Sequence, residues 1–254
     1  MKKIVILMMA ALWAPLAFAS EGVDVAAMWE RGNGLYSAGD YNGAILTYDS
    51  IVNEGWQSAA LYYNLGGACF KAGRNGLAIL NYHRALRLEP SNDDVAYNLA
   101  YAESFVRDNI DVIPTGAVER LMTSIRRLMS ADGWGVASLV ALGLALVAAG
   151  FYILAQSRRL RKWGFFVALA ALVVFFCSLG FGGAARGQLL AQDEAVVLVS
   201  ASSVKASPEE SSKDLFILHE GTKVEVLDSF GEWSEIRIAD GNEGWIRSSA
   251  IELI

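Results

Sequence analysis

Residues 134–185 read WGVASLVALGLALVAAGFYILAQSRRLRKWGFFVALAALVVFFCSLGFGGAA, and the architecture follows from this stretch. Trp134 to Gln156 contains no Asp, Glu, Lys, Arg or His, and neither does Trp163 to Ala185. A hydrocarbon core takes roughly 20 apolar residues of helix, so each half is long enough to cross a bilayer. Between them lies a short basic segment, 157–162, carrying Arg158, Arg159, Arg161 and Lys162. Lys and Arg in a short loop stay on the cytoplasmic side. The expectation is two transmembrane helices, 134–156 and 163–185, joined by a cytoplasmic turn at 157–162, with both flanks facing outward. Ala137, Gly143, Ala145, Ala148, Ala149 and Gly150 in the first helix, and Ala168, Ala170 and Ala171 in the second, allow close helix contact. Transport or proton relay leaves ionisable side chains inside a span, so this hairpin reads as an anchor.

The chain starts with Met1-Lys2-Lys3, an apolar run from Ile4 to Leu16, and Ala17-Phe18-Ala19. That order fits a secretory signal peptide over 1–19. An uncleaved anchor is the alternative, and it places the next domain on the same side. The sequence holds 21 Lys and Arg against 27 Asp and Glu, a net charge of −6, and loss of Lys2 and Lys3 takes it to about −8. Cations gather in the hairpin turn, so the flanking pieces are acidic, which argues against a nucleic-acid partner. Cys69 and Cys177 lie in different segments and provide no disulfide framework; both read as small buried apolar residues.

From Val25 the sequence repeats itself at a period of 34: Gly32 returns as Gly66, Gly39 as Gly73, Ala44 as Ala78 and Tyr48 as Tyr82. The small residues mark places where paired helices touch. Gly39 and Gly73 fit helix ends that need positive φ. Pro90 closes the second unit, and residues 93–110 read as a closing helix over the end of the stack. Over Val25 to Asn92 this resembles the tetratricopeptide repeat family, with Trp56 standing where a proline is usual; the domain is drawn at 20–110. The resemblance implies a peptide groove lined by Trp29, Asn33, Tyr36, Tyr63, Asn64, Phe70, Lys71, Tyr97 and Tyr101. Asn33 and Asn64 match the asparagines of the family's carboxylate clamp, but Trp29, Asp94 and Asn98 occupy its basic positions. Apolar or basic peptides are therefore favoured, through stacking and cation–π contact. Packing between repeats is the other reading of the aromatic set.

A break at Asp111 to Thr115 opens a connector, 111–133. Within it Val118, Leu121, Met122, Ile125, Leu128 and Met129 form one apolar stripe at helical spacing, flanked by Arg120, Arg126 and Arg127. Such a helix can lie in the headgroup layer or pack on the array as one more helix. After Arg186 short runs follow at Ala195–Val199, Leu215–Leu218, Lys223–Leu227, Trp233–Ile238 and Gly244–Arg247, split by glycine- and Asp-rich turns. They predict a small all-β barrel over 187–254, with 207–213 as the long loop after the first strand. The order Gly221-x-x-Val224, Trp233-x-x-Ile236, Gly244-Trp245, Ser249-Ala250-Ile251 resembles a bacterial SH3-like domain. Its long loop lacks tyrosine, so polyproline binding does not carry over. Trp233 and Trp245 are the candidates for a ligand face, or else core residues of the barrel.

His83 and His219 are the only histidines, in different domains and outside any recognisable nucleophile motif. No catalytic, cofactor-binding or metal-binding residue is assigned. The fold class is thus multidomain: an α-helical tetratricopeptide solenoid, a two-helix transmembrane hairpin and a small all-β SH3-like barrel. Taken in order, these parts resemble the E component of the Bat aerotolerance family of bacterial envelope proteins. That resemblance implies a non-enzymatic inner-membrane scaffold with both soluble domains in the periplasm. It also implies von Willebrand A-domain membrane proteins as partners, and indirectly a MoxR-type ATPase, in oxidative-stress tolerance or envelope integrity. A peptidoglycan-binding sensor using the SH3-like domain is the rival reading.

Overall fold

The computed structural model describes residues 24–114, 116–191 and 193–254. The expected leader at 1–19 lies outside them. Helices α1 (Val25–Ser37), α2 (Tyr41–Asn53), α3 (Ala59–Lys71) and α4 (Asn75–Leu88) form two successive pairs, followed by α5 (Asp93–Glu103). The helices of the second pair start 34 residues after those of the first. Side chains of Asp24, Asp40, Ser58 and Asn92 accept from backbone N–H groups in the first turns of α1, α2, α3 and α5. Each cap satisfies a donor that the helix leaves unpaired. Gly39 and Gly73, at φ of 82° and 77°, end α1 and α3 as expected. A Cβ on Gly32 would come within 2.5 Å of the Tyr48 ring, and one on Gly66 within 2.8 Å of the Tyr82 ring. The repeat in sequence is therefore a repeat of one helix contact, and this half has a tetratricopeptide-like helical fold.

The closing helix ends at Glu103, seven residues short of the expected 110. From there the chain leaves the array and runs onto the β-sheet, where Asp108 meets the backbone and ring of His219 and the hydroxyl of Thr222. Helix α6 (Ala117–Arg126) follows, with none of its residues buried. Then come α7 (Ala131–Leu154) and α8 (Arg158–Leu190), both long and apolar enough to cross a membrane. The basic segment is not a loop but the first turn of α8. Cations are disfavoured at a helix N-terminus; here Arg161 reaches back to the Tyr152 carbonyl at the end of α7, where a cation is favoured. Ser138, Ala141, Ala145 and Ala148 of α7 face α8, and a Cβ on Gly164 would sit 2.8 Å from the Ala148 oxygen. Gly143 and Gly150 face open space instead, and Cys177 is exposed rather than buried.

Seven strands complete the chain: β1 (Glu194–Val197), β2 (Ala201–Lys205), β3 (Asp214–His219), β4 (Lys223–Phe230), β5 (Trp233–Arg237), β6 (Glu243–Arg247) and β7 (Ile251–Leu253). They form one antiparallel sheet in the order β3-β2-β6-β5-β4-β1-β7. Laid flat, seven strands at about 4.8 Å spacing would be too wide to share a core. Yet Val197, Val204, Leu218, Val224, Ile236 and Ile246 meet in one cluster, so the sheet curls around it. Strands β2 and β7 are absent from the expected set, and the 207–213 loop accordingly follows the second strand, not the first. In β2 only Val204 is fully buried among serines, and β7 has three residues, so neither carries an apolar alternation.

Strand β1 faces two cores at once. Ala195 and Val197 point into the sheet, whereas Val196 joins the helical core with Ile254. All three residues of the Ala-Val-Val run are fully buried. A continuous apolar run, not an alternating one, marks burial on both faces. The helical array and the sheet are thus packed against each other through α4 and β1.

Candidate functional site

The nine residues expected to line the groove separate into two groups. Trp29, Asn33, Tyr36, Tyr63 and Asn64 are half-buried, and Asn33, Tyr63 and Asn64 spend polar atoms on neighbouring helices. The Asn33 carboxamide oxygen accepts from the Tyr48 hydroxyl at 2.8 Å and from the Asn64 amide at 3.1 Å, tying α1, α2 and α3 together. The Trp29 ring lies 5.8 Å from that of Tyr48. The Tyr63 hydroxyl accepts from the Asn98 amide at 2.9 Å, linking α3 to α5. Burial pushes the Tyr36 phenol above its ordinary range, with the nearby Tyr41 and Tyr63 adding to it.

The second group is open except for half-buried Phe70. Tyr97 is 74% exposed and Tyr101 51%, both on α5. Phe70, on α3, stacks at an angle on Tyr101 (5.5 Å) and on Phe105 (5.8 Å), and Tyr101 meets Phe105 edge-on at 5.2 Å. Lys71 is exposed at the end of α3. Phe105 completes this aromatic patch, and sequence reasoning missed it. The signal was its spacing of four from Tyr101, at the mouth of a helix whose end was set too late.

On the sheet, Trp233 and Trp245 share the outer face of β5 and β6, opposite to Ile236 and Ile246, which fill the core. Trp233 is nonetheless covered: the Arg247 guanidinium lies 4.5 Å over its ring. Arg247 is paired in turn with Glu210 of the β2–β3 loop and Glu232 of the β4–β5 turn. Trp245 is half-buried, opposite Glu235 in the ladder, with Lys205 across on β2. Arg237 pairs with Glu225 and Glu243 on the same face.

Each histidine faces a carboxylate. His83 lies 3.4 Å from Glu103. The His219 ring meets Asp108 at 2.5 Å, while the His219 N–H and the Thr222 hydroxyl donate to the other carboxylate oxygen. Burial pushes the Asp108 carboxyl up, and these bonds more than offset it, leaving the group below the ordinary carboxylate range. Burial pushes the Cys69 thiol up to about 12, so it is held as an inert core residue. Among the described residues no cluster of three or more His, Cys, Asp or Glu side chains could hold a metal ion.

A cleft of about 480 Å³ lies between array and sheet. Its cations are already engaged: Arg84 bonds Glu252 and the Leu253 carbonyl, and Arg87 bonds the carbonyls of Leu189 and Ile254. Arg87 thereby joins the array, the end of α8 and the residue that follows the last strand.

No curated protein matches the chain. The chain is similar to MamA as solved by crystallography, at 17% identity and a TM-score of 0.31, over 65% of this chain and 81% of MamA. Residues 200–252, from β2 into β7, match the family described as bacterial SH3 domain.

Proposed function

We propose that the chain is a non-enzymatic adaptor of the bacterial inner membrane that holds a helical binding surface and an SH3-like domain as one unit in the periplasm. The observation that carries this reading is the docking of array and sheet at one end of the α7–α8 hairpin. Arg87 links the array to Leu189 at the exit of α8, and β1 is buried between the two cores. Whatever side the hairpin presents, both soluble parts share it. The basic first turn of α8 supports a cytoplasmic position for the far end.

The partner surface is the patch of exposed Tyr97, Tyr101 and Phe105 on α5 and the segment after it, backed by half-buried Phe70. Aromatic side chains exposed together are the usual anchors of protein interfaces. The partners proposed are von Willebrand A-domain membrane proteins, with a MoxR-type ATPase reached through them, in a Bat-type complex serving oxidative-stress tolerance or envelope integrity. A photo-crosslinking residue at Tyr97 in the full-length membrane protein should capture a von Willebrand A-domain protein. Tyr101→Ala with Phe105→Ala should abolish that product. Capture of no such protein, or undiminished capture by the double variant, overturns the assignment. Alkaline phosphatase fused after residue 254 should be active and fused at residue 156 inactive; the opposite result overturns the topology.

A second reading, peptidoglycan binding, draws on the outward-facing Trp245 and on the bacterial SH3 match. Against it stands Trp233, closed over by Arg247 and its two glutamates. Cosedimentation of the detergent-solubilised chain with purified sacculi, lost in Trp245→Ala, would favour this reading over the first.

A further inference from the structure

Helix α6 ends its ten residues without burying one of them. At about 100° per residue, Val118, Leu121, Met122 and Ile125 fall on one face of it. Glu119, Arg120, Thr123 and Arg126 fall on the other. Val118 is 72% exposed, Leu121 56% and Met122 44%, and Leu128 and Met129 prolong the same apolar surface into the turn that follows. The array does not cover this face, so the expected alternative of one more stacked helix is not what the structure adopts. An apolar stripe this wide, left in water on ten residues, needs an occupant.

Three observations say what that occupant is. First, α6 is fixed at the level where α7 begins: only residues 127–130 separate them, and the Trp134 indole N–H donates to the Arg126 carbonyl at 3.1 Å. Second, that level has the marks of a membrane boundary. Trp134 stacks on Phe181 of α8 at 5.2 Å, and Asp132 and Arg186 line one cleft just beyond it, while the next charge-free turns run on into the spans. Tryptophan collects at the membrane–water interface. Third, Arg120, Arg126 and Arg127 flank the stripe against a single Glu119, a charge pattern that complements phosphates and leaves the stems of the arginines free to lie along the apolar edge.

We propose that α6 is an in-plane membrane helix, its Val118–Leu121–Met122–Ile125 face sunk at the headgroup–acyl boundary and its arginines on phospholipid phosphates. The helix then acts as a strut that sets the height and tilt of the helical array above the bilayer. This rests on the reading of α7 and α8 as membrane spans, and the experiment separates the two.

Full-length protein carrying Cys177→Ala, with buried Cys69 left in place, receives a single cysteine by Leu121→Cys, Glu119→Cys or Val140→Cys. Each is labelled with an environment-sensitive fluorophore and reconstituted in phosphatidylcholine–phosphatidylglycerol vesicles containing nitroxide lipids labelled near the headgroup or near the chain end. The shallow nitroxide should remove most of the emission at position 121 and little at position 119, and the deep one should act at position 140. Equal quenching at 119 and 121, or none at 121 while 140 responds, overturns the in-plane helix. A disulfide-linked dimer through Leu121→Cys in place of quenching gives the face to a second copy of the chain, and also overturns it. No quenching at 140 removes the spanning helices on which the inference rests.

Discussion

Gly66 meets the face of Tyr82, with a would-be Cβ only 2.8 Å from two ring carbons and 3.2 Å from the Ala78 carbonyl. The ring is buried and the carbonyl is backbone, so neither can give way cheaply. Gly34, equally helical, has nothing within 4 Å of the same position. The two glycines therefore respond in opposite directions to one substitution. Gly66→Ala should destabilise the array by about 1–3 kcal/mol through overpacking. Gly34→Ala should stabilise it by about 0.5–1 kcal/mol, since a helix interior prefers alanine. Thermal melts of the detergent-solubilised chain followed by circular dichroism check both, and equal shifts would remove the contact argument. The repeat made Gly66 legible in the sequence, because small residues that return at a fixed period mark the points where paired helices touch. It could not separate Tyr63, whose hydroxyl is bound to Asn98, from Tyr97, which is bare. That difference depends on which helix stands opposite, which a repeat pattern does not encode.

Among the elements, α7 and α8 were the most legible, since a charge-free apolar run of that length matches the thickness of a bilayer. Their contact was not, because alanine and glycine abound on every face and only the crossing selects among them. The crossing is tightest at Gly164, where a Cβ would lie 2.8 Å from the Ala148 oxygen and 2.8 Å from the Tyr152 nitrogen, both backbone. Close backbone approach through small residues is how helices associate in lipid, where apolar side chains gain little by leaving the solvent. Spin labels at Val136 and Leu179, both exposed, report the separation of the helices. Gly164→Leu should widen and broaden that distance, whereas Gly143→Leu, which faces open space, should leave it unchanged. Strands β2 and β7 were illegible for a related reason. Serine-rich or three-residue segments become strands only because neighbours offer them a ladder, as Lys205 opposite Trp245 and Ile251 opposite Val197 do.

Across the whole molecule, the junction of array and sheet is built from caps as much as from apolar surface. Helix α4 has Arg74 at its N-cap and no side chain of its own to accept a first-turn N–H. Glu220, from the β3–β4 turn, supplies the acceptor: its carboxylate takes the Gly76 N–H at 2.8 Å, at a position where a Cβ would collide with it. In the first repeat Asp40 does the same work locally on Gly43. The exchange of Asp40 for Arg74 thus transfers a helix cap from one domain to the other. In return Asp108, on the segment leaving the array, caps the same turn by accepting from His219 and Thr222. Asp108→Ala leaves these donors unpaired, a loss of about 1–3 kcal/mol. Glu220→Ala removes the cap on α4, about 0.5–2 kcal/mol. Because the folded Asp108 carboxyl lies below the ordinary value, its contribution is fully present above about pH 3.9 and is lost as pH falls through the lower folded pKa. Limited proteolysis should read this directly. The 104–114 segment should resist cleavage at neutral pH in the native chain, become susceptible in Asp108→Ala at the same pH, and lose protection on acidification in the native chain only. Equal protection of the native chain and the variant at neutral pH would mean that β1 and its apolar neighbours hold the two domains together without the exchanged caps.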